Sequence, residues 1–201
     1  GSGVMSATLA SLLSELAPNL NMLMVERLAD VAAESTDAWN NAGTGHAGYC
    51  ELNYTPQNHQ GAIDISRALN INASFETSLQ FWSYLVEQNI LPAPKNFINA
   101  TPHLSFVWGN ADVEFLRKRY ELLKQHHLFA DMEFSENPAT LEAWMPLVMQ
   151  QRSTKQKVAG TRVAYGSDID FGALTRLMVK HLETKNHFSL ALNTEVKTLK
   201  K

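Results

Sequence analysis

The chain has one cysteine, Cys50, in 201 residues. A lone thiol excludes an internal disulfide framework and any zinc site built on several cysteines, and it fits a reducing compartment, so the cytoplasm is the expected location. No apolar run approaches the ~20 residues needed to span a bilayer, and the N-terminus lacks the charged and apolar regions of a secretory signal. Any membrane contact is therefore expected to be peripheral. A basic surplus is missing too: 17 Lys and Arg against 20 Asp and Glu leave a formal charge of −3, which argues against nucleic acid as a partner. The histidines are scattered rather than set at ligand spacing, so no metal is expected. Internal repeats and low-complexity tracts are absent as well.

What is present is ordinary globular material, 45% hydrophobic and 18% charged, enough to bury a core in one domain or parts of two. Met5, Leu9, Leu12, Leu13 and Leu16 recur at helical spacing before Pro18, which predicts a helix over residues 4–16 packed on that face. Met22 to Val25 is a short apolar run and reads as a strand buried on both faces. Residues 35–48, STDAWNNAGTGHAG, hold three glycines among small polar residues and predict an irregular loop that can approach a ligand closely. Phe75, Leu79, Trp82 and Leu85 mark a second helix ending before Pro92. His103 to Trp108 reads as a strand, Val113 to Leu123 as a helix, and Lys157 to Tyr165 as another strand. Asp170 is placed to cap a helix carrying Phe171, Leu174, Leu177 and Leu182, and Phe188–Leu192 with Thr194–Leu199 read as closing strands. Helices alternating with short strands predict an α/β fold.

The opening residues Gly1-Ser2-Gly3-Val4-Met5-Ser6 fit G-x-G-x-x-[small], where glycines permit a tight turn and let backbone N–H groups approach a pyrophosphate at a helix N-terminus. Gly-Ser-Gly is also a common remnant of expression tags. The context favours the dinucleotide motif, because a helix follows at once and Glu26 closes the next strand where an acidic residue binds the adenosine ribose. Either a flavin or a nicotinamide dinucleotide satisfies that pattern. The strand that should precede the glycines is not in the sequence, so the chain is expected to be truncated.

Four stretches, VMSATLASLLSEL, MVERLADVAAESTDAWNNAGTGHAGYCELNYTP, FWSYLVEQNILPAPKNFINATPHLSFVWG and KVAGTRVAYGSDIDFGALTR, together resemble the malate:quinone oxidoreductases. The run around WNNAGTGHAGYCELNYTP is the most specific of them. The resemblance implies a Rossmann-type FAD-binding domain with an interleaved α+β substrate domain, truncated at both ends. It divides the chain into residues 1–52 for FAD, 53–166 mainly for substrate, and 167–201 returning to the FAD domain. It implies FAD-dependent oxidation of (S)-malate to oxaloacetate, with electrons passed to membrane quinone at the cytoplasmic face of the inner membrane. A related flavin oxidase of another 2-hydroxy or amino acid, a nicotinamide-dependent dehydrogenase, and an inactive fragment are the alternatives.

Under that resemblance Gly1, Gly3, Val4, Met5 and Ser6 are expected at the pyrophosphate, Glu26 and Arg27 at the ribose, and Val196 with its backbone at the adenine. Ser35, Asn40, Asn41, Ala42, Gly43 and Thr44 offer hydroxyls, amides and backbone N–H groups to the phosphates and the flavin ring. Malate oxidation needs a base titrating near neutral pH, which singles out His46 and then His103. The malate carboxylates call for a cation, for which Arg162 is the candidate, with Tyr54 adding a hydroxyl. The plainer alternatives are a surface charge for Glu26, a core valine for Val196, an unliganded Asn/Gly turn for residues 40–44, and packing or solvent-facing roles for His103 and Arg162.

Overall fold

The computed structural model describes residues 1–45 and 47–198. It contains six α-helices and seven strands among those residues, divided between two compact units. The first unit comprises residues 1–44, 81–99 and 168–201, and the second residues 45–80 and 100–167.

In the first unit, α1 (Val4–Leu16) starts directly after the glycines and stops at Ala17, before Pro18. The helix has the expected bounds, but the buried face differs from the expected one. Ala7, Ala10, Ser11 and Ser14, spaced i, i+3, i+4 and i+7, are buried, whereas Met5 and Leu16 are 81% and 73% exposed and Leu9 and Leu12 are exposed as well. α1 packs against α6 (Phe171–Leu182). Small residues let two helix backbones approach closely, so size rather than hydropathy selects the covered face.

β1 (Met22–Val25) pairs in parallel with β7 (Phe188–Ala191), Met22 opposite Phe188 and Met24 opposite Leu190. Met24 is buried and Leu23 exposed, so β1 is not covered on both faces as its apolar run suggested. Residues 194–198 form no strand, and Leu199 lies outside the described residues. At the start of α6 the Asp170 carboxylate accepts the Ala173 N–H at 2.7 Å, the expected cap. Trp82, on the last turns of α2 (Ser66–Glu87), meets the rings of Phe97 and Phe171 edge-on.

The second unit is built on an antiparallel sheet in the order β3 (His103–Trp108), β5 (Val158–Val163), β4 (Glu133–Ser135). β3 and β5 match the expected strands; β4 is too short to leave a periodic signal. α3 (Asn110–Leu123) covers one face, burying Val113, Leu116 and Leu123. The other face carries α4 (Pro138–Trp144) and the single turn α5 (Pro146–Met149), neither expected from the sequence. Asn137 caps α4 by accepting the Ala139 N–H at 2.9 Å, followed by Pro138, a start signal readable in the residues. Gly160 lets α4 and its neighbours sit on β5: a Cβ there would stand 2.8 Å from Leu141 Cδ2. β2 (Ile98–Ala100) and β6 (Ser167–Ile169) pair with each other.

Candidate functional site

The glycine turn and Glu26 are joined directly. Ser2 is fully buried, and its backbone N–H and hydroxyl donate to Glu26 Oε2 at 2.7 and 2.9 Å, while the Leu28 N–H donates to Oε1 at 2.9 Å. The Leu28 and Ser2 backbone donors, in that order, hold the Glu26 carboxyl at about 2, well below its ordinary value. The carboxylate is therefore a fixed anion at the C-terminal end of β1, and four lone-pair directions exceed its three donors. The backbone of Glu26 is clasped as well: its N–H donates to the Ala191 carbonyl, and its own carbonyl accepts the Thr194 N–H at 2.8 Å.

That clasp brings the 194–196 segment back to the glycine turn. A cleft of about 400 Å³ is lined by Gly1, Ser6, Leu9, Met24, Val25 and Val196, among others, so Gly1 and Ser6 of the glycine motif share one space with Val196, whereas Gly3, Val4, Met5 and Glu26 do not line it. Gly3 is pressed by Thr36, whose Oγ1 would lie 3.0 Å from a Cβ and accepts the Val4 N–H at 3.2 Å. Thr36 thus caps α1 from another loop, a role that local sequence does not signal. Arg27 turns outward to an exposed ion pair with Glu34 at 3.7 Å.

The Asn/Gly loop is ordered by its own side chains. Asn40 Nδ2 donates to the Glu34 carbonyl, Asn41 Nδ2 to the Ser35 carbonyl, and Asn41 Oδ1 accepts the Gly43 N–H. Gly43 adopts φ +67, and a Cβ there would stand 2.5 Å from Asp168 Oδ1, so the position demands glycine twice over. Thr44 bridges to Asp168 in antiparallel fashion. A second cleft of about 370 Å³ lies here, bordered by Asn41, Ala42, Gly43, Asp168, Asp170 and Phe171. Ser35 and Asn40 are exposed.

In the second unit, His46 lies outside the described residues. The loop that follows it is held by buried donors from three elements. Asn72 Nδ2 on α2 donates to the Ala47 carbonyl at 2.7 Å, and Ser105 Oγ on β3 donates to the Cys50 carbonyl at 2.9 Å. Arg119 on α3, fully buried, donates from Nη2 to the Gly48 and Tyr49 carbonyls at 3.1 Å each and from Nε to Thr55 Oγ1 at 3.0 Å. Burial lowers the Arg119 guanidinium to about 10 and raises the Cys50 thiol to about 11. Arg119 was not among the sequence candidates, although it occupies the same helical stripe as Leu116 and Leu123.

His103 is buried, with Nε2 3.0 Å from the Ser167 carbonyl. A carbonyl only accepts, so Nε2 donates to it, while Nδ1 is buried with no hydrogen-bond partner. Tyr54 packs on the Tyr49–Phe129–Val163 core and carries the Arg67 guanidinium 4.9 Å above its ring. Arg162 alternates with Val163 on β5 and so lies on the opposite sheet face, 3.5 Å from Glu133 Oε1 and 5.9 Å above the Trp144 ring. The structure does not bring Arg162 and Tyr54 together.

No group of three or more His, Cys, Asp or Glu among the described residues could hold a metal ion, and no described helix is long and apolar enough to cross a membrane. The family model described as malate:quinone oxidoreductase (Mqo) matches residues 1–201. A probable malate:quinone oxidoreductase from Hahella chejuensis is 65% identical over 200 residues, covering 100% of this chain and 40% of the relative. A second, from Methylobacillus flagellatus, is 60% identical, covering 100% of this chain and 41% of the relative. The chain thus spans about 40% of the length of these curated relatives. Among solved structures, a glycine oxidase from Bacillus cereus superposes with a TM-score of 0.63 at 15% identity, covering 100% of this chain and 47% of that one. An L-alpha-glycerophosphate oxidase from Mycoplasma pneumoniae, described with FAD bound, gives 0.57 at 17% identity, covering 98% and 44%. The fold is accordingly the mixed α/β fold of these oxidases. Matched by the family model from residue 1 to residue 201, the chain belongs to the malate:quinone oxidoreductase family.

Proposed function

We propose that this chain supplies the dinucleotide-binding part of an FAD-dependent enzyme whose full-length form oxidises (S)-malate to oxaloacetate and passes the electrons to membrane quinone. The carrying observation is the Ser2–Glu26 lock: it sets a fixed carboxylate beside the glycine turn, and Gly1 of that turn borders a cleft that Val196 also lines. The donor set suits FAD. Gly1 and Gly3 leave the turn without Cβ atoms, Glu26 keeps an acceptor direction for a ribose hydroxyl, and the N-terminus of α1 favours a diphosphate. Val196 fits an adenine contact. Bound FAD supplies the hydride acceptor for malate C2.

In this proposal residues 1–52 and 167–201 serve the nucleotide and residues 53–166 mainly the substrate. Asn41, Ala42, Gly43 and Thr44 border the flavin, and Arg27, Ser35 and Asn40 stay peripheral to it. His46 takes the proton from the malate hydroxyl; His103, with its unpaired Nδ1, is the second candidate. Tyr54 contributes its hydroxyl, whereas Arg162 must leave Glu133 and Trp144 to meet a carboxylate. The enzyme meets the membrane peripherally from the cytoplasmic side.

The test is anaerobic reduction of a soluble quinone analogue by the full-length protein, comparing malate with glutamate and 2-hydroxyglutarate. Quinone reduction specific to malate is expected. Reduction by another substrate, or turnover only with oxygen, would overturn the assignment.

A further inference from the structure

Isolated exposed leucines are ordinary on protein surfaces, whereas apolar residues grouped with unpaired cations on one face are not. Such a group occurs in the second unit, where α5 meets the end of β3. Leu147 is 85% exposed, Trp108 is 55% exposed, and Val148 is exposed beside them. Arg152 ties these residues into one surface: its Nε donates to the Val148 carbonyl at 3.1 Å, and its guanidinium lies 4.7 Å from the Phe106 ring centre and 5.7 Å from that of Trp108. The Gly109 N–H donates to the Lys157 carbonyl at 2.9 Å, so Lys157 emerges next to Trp108.

The segment that carries the cations of this surface has charge of one sign. Residues 144–158 contain Arg152, Lys155 and Lys157 and no Asp or Glu. Two other arginines of the unit are ion-paired, Arg117 with Glu114 and Glu136 and Arg162 with Glu133. Among the described residues no carboxylate pairs with Arg152, Lys155 or Lys157. Protein interfaces deplete lysine and bury their apolar centre away from charge. Here cations surround the apolar tip, and a tryptophan sits between apolar and polar surroundings, the pattern suited to a headgroup boundary.

We propose that the surface formed by Trp108, Leu147, Val148, Arg152, Lys155 and Lys157 docks on an anionic lipid bilayer. Leu147 and Val148 enter the acyl boundary, Trp108 lies at headgroup depth, and the three cations meet lipid phosphates. The assignment deepens the membrane side of the proposed function, and lipid binding is read without malate or quinone, so failure of either leaves the other distinguishable.

The test is co-sedimentation of the full-length protein with vesicles of phosphatidylglycerol and phosphatidylcholine, compared with phosphatidylcholine alone. Each basic group near an anionic surface strengthens binding roughly fivefold. The wild type should therefore prefer the anionic vesicles by on the order of 10-fold or more and release them as salt rises. Lys155→Glu with Lys157→Glu should lose at least about 10-fold, and Leu147→Ser with Val148→Ser should weaken binding while keeping the salt dependence. Unchanged binding in both double variants, or no preference for anionic vesicles, would overturn the proposal. Conversion of a dimer to a monomer by Leu147→Ser with lipid binding intact would assign the surface to a second copy instead.

Discussion

The carboxylate of Glu26 accepts both the backbone N–H and the hydroxyl of Ser2, 24 residues earlier, at 2.7 and 2.9 Å. This relationship converts two weak sequence signals, a glycine pattern and an acidic strand end, into one fixed structure. It also makes the turn depend on pH. The folded carboxyl titrates at about 2 against an ordinary 4.5, so its contribution to stability is complete above pH 4.5 and is lost as pH falls through 2. Acid unfolding followed by circular dichroism should show this dependence, and Glu26→Gln should flatten it.

Truncation of Arg119 should be strongly destabilising. Arg119→Met strands the Gly48 and Tyr49 carbonyls and Thr55, and loss of hydrogen bonds from a buried charge costs about 3 kcal/mol or more. Arg119→Lys should recover only part of this, since an ammonium cannot span the same three acceptors. Chemical denaturation of both variants checks the order; equal stability of wild type and Arg119→Met would show that these hydrogen bonds do not hold the loop.

Two glycines separate backbone strain from crowding. Gly43 and Gly109 both have positive φ, +67 and +89, but a Cβ at Gly43 meets Asp168 at 2.5 Å and one at Gly109 meets nothing within 4 Å. Gly109→Ala should cost about 1 kcal/mol, the backbone contribution alone. Gly43→Ala should cost clearly more, measured by the same denaturation experiment, and should alter the loop that carries Asn41 and Thr44.

Cys50 should be a slow nucleophile. Burial first, and then the neighbouring Glu51, raise its thiol from 9.0 to about 11. The thiolate population at pH 8 then falls about 100-fold below that of an ordinary thiol. Alkylation timed by mass spectrometry checks it, and denaturation should restore the ordinary rate.

What the residues disclosed follows from which interactions are local. α1, β3 and the Asp170 cap were legible because periodicity, Pro18, Gly109 and a carboxylate at a helix start act within a few positions. The covered face of α1 was not, because its contact with α6 selects Ala7 and Ser11 for size while Met5 and Leu9 remain outside. α4 leaves little beyond its start signal, Asn137-Pro138, to mark it in the sequence. At the site, the glycine turn and Glu26 were readable from spacing. Thr36 was not, since it reaches the Val4 N–H only through loop closure over 32 residues. Arg119 escaped because arginine is ordinarily outside, yet its spacing from Leu116 and Leu123 marks the buried stripe of α3.

The most direct test of the proposed nucleotide site is flavin content. Full-length wild-type protein should purify yellow, with the flavin band near ~450 nm. Glu26→Ala should lose the proposed ribose contact and the Ser2 anchor together, lowering FAD affinity by about 10- to 100-fold and giving a folded but largely colourless protein. Retention of wild-type flavin affinity by Glu26→Ala, measured by titrating FAD into apoprotein, would contradict the placement of FAD at this turn.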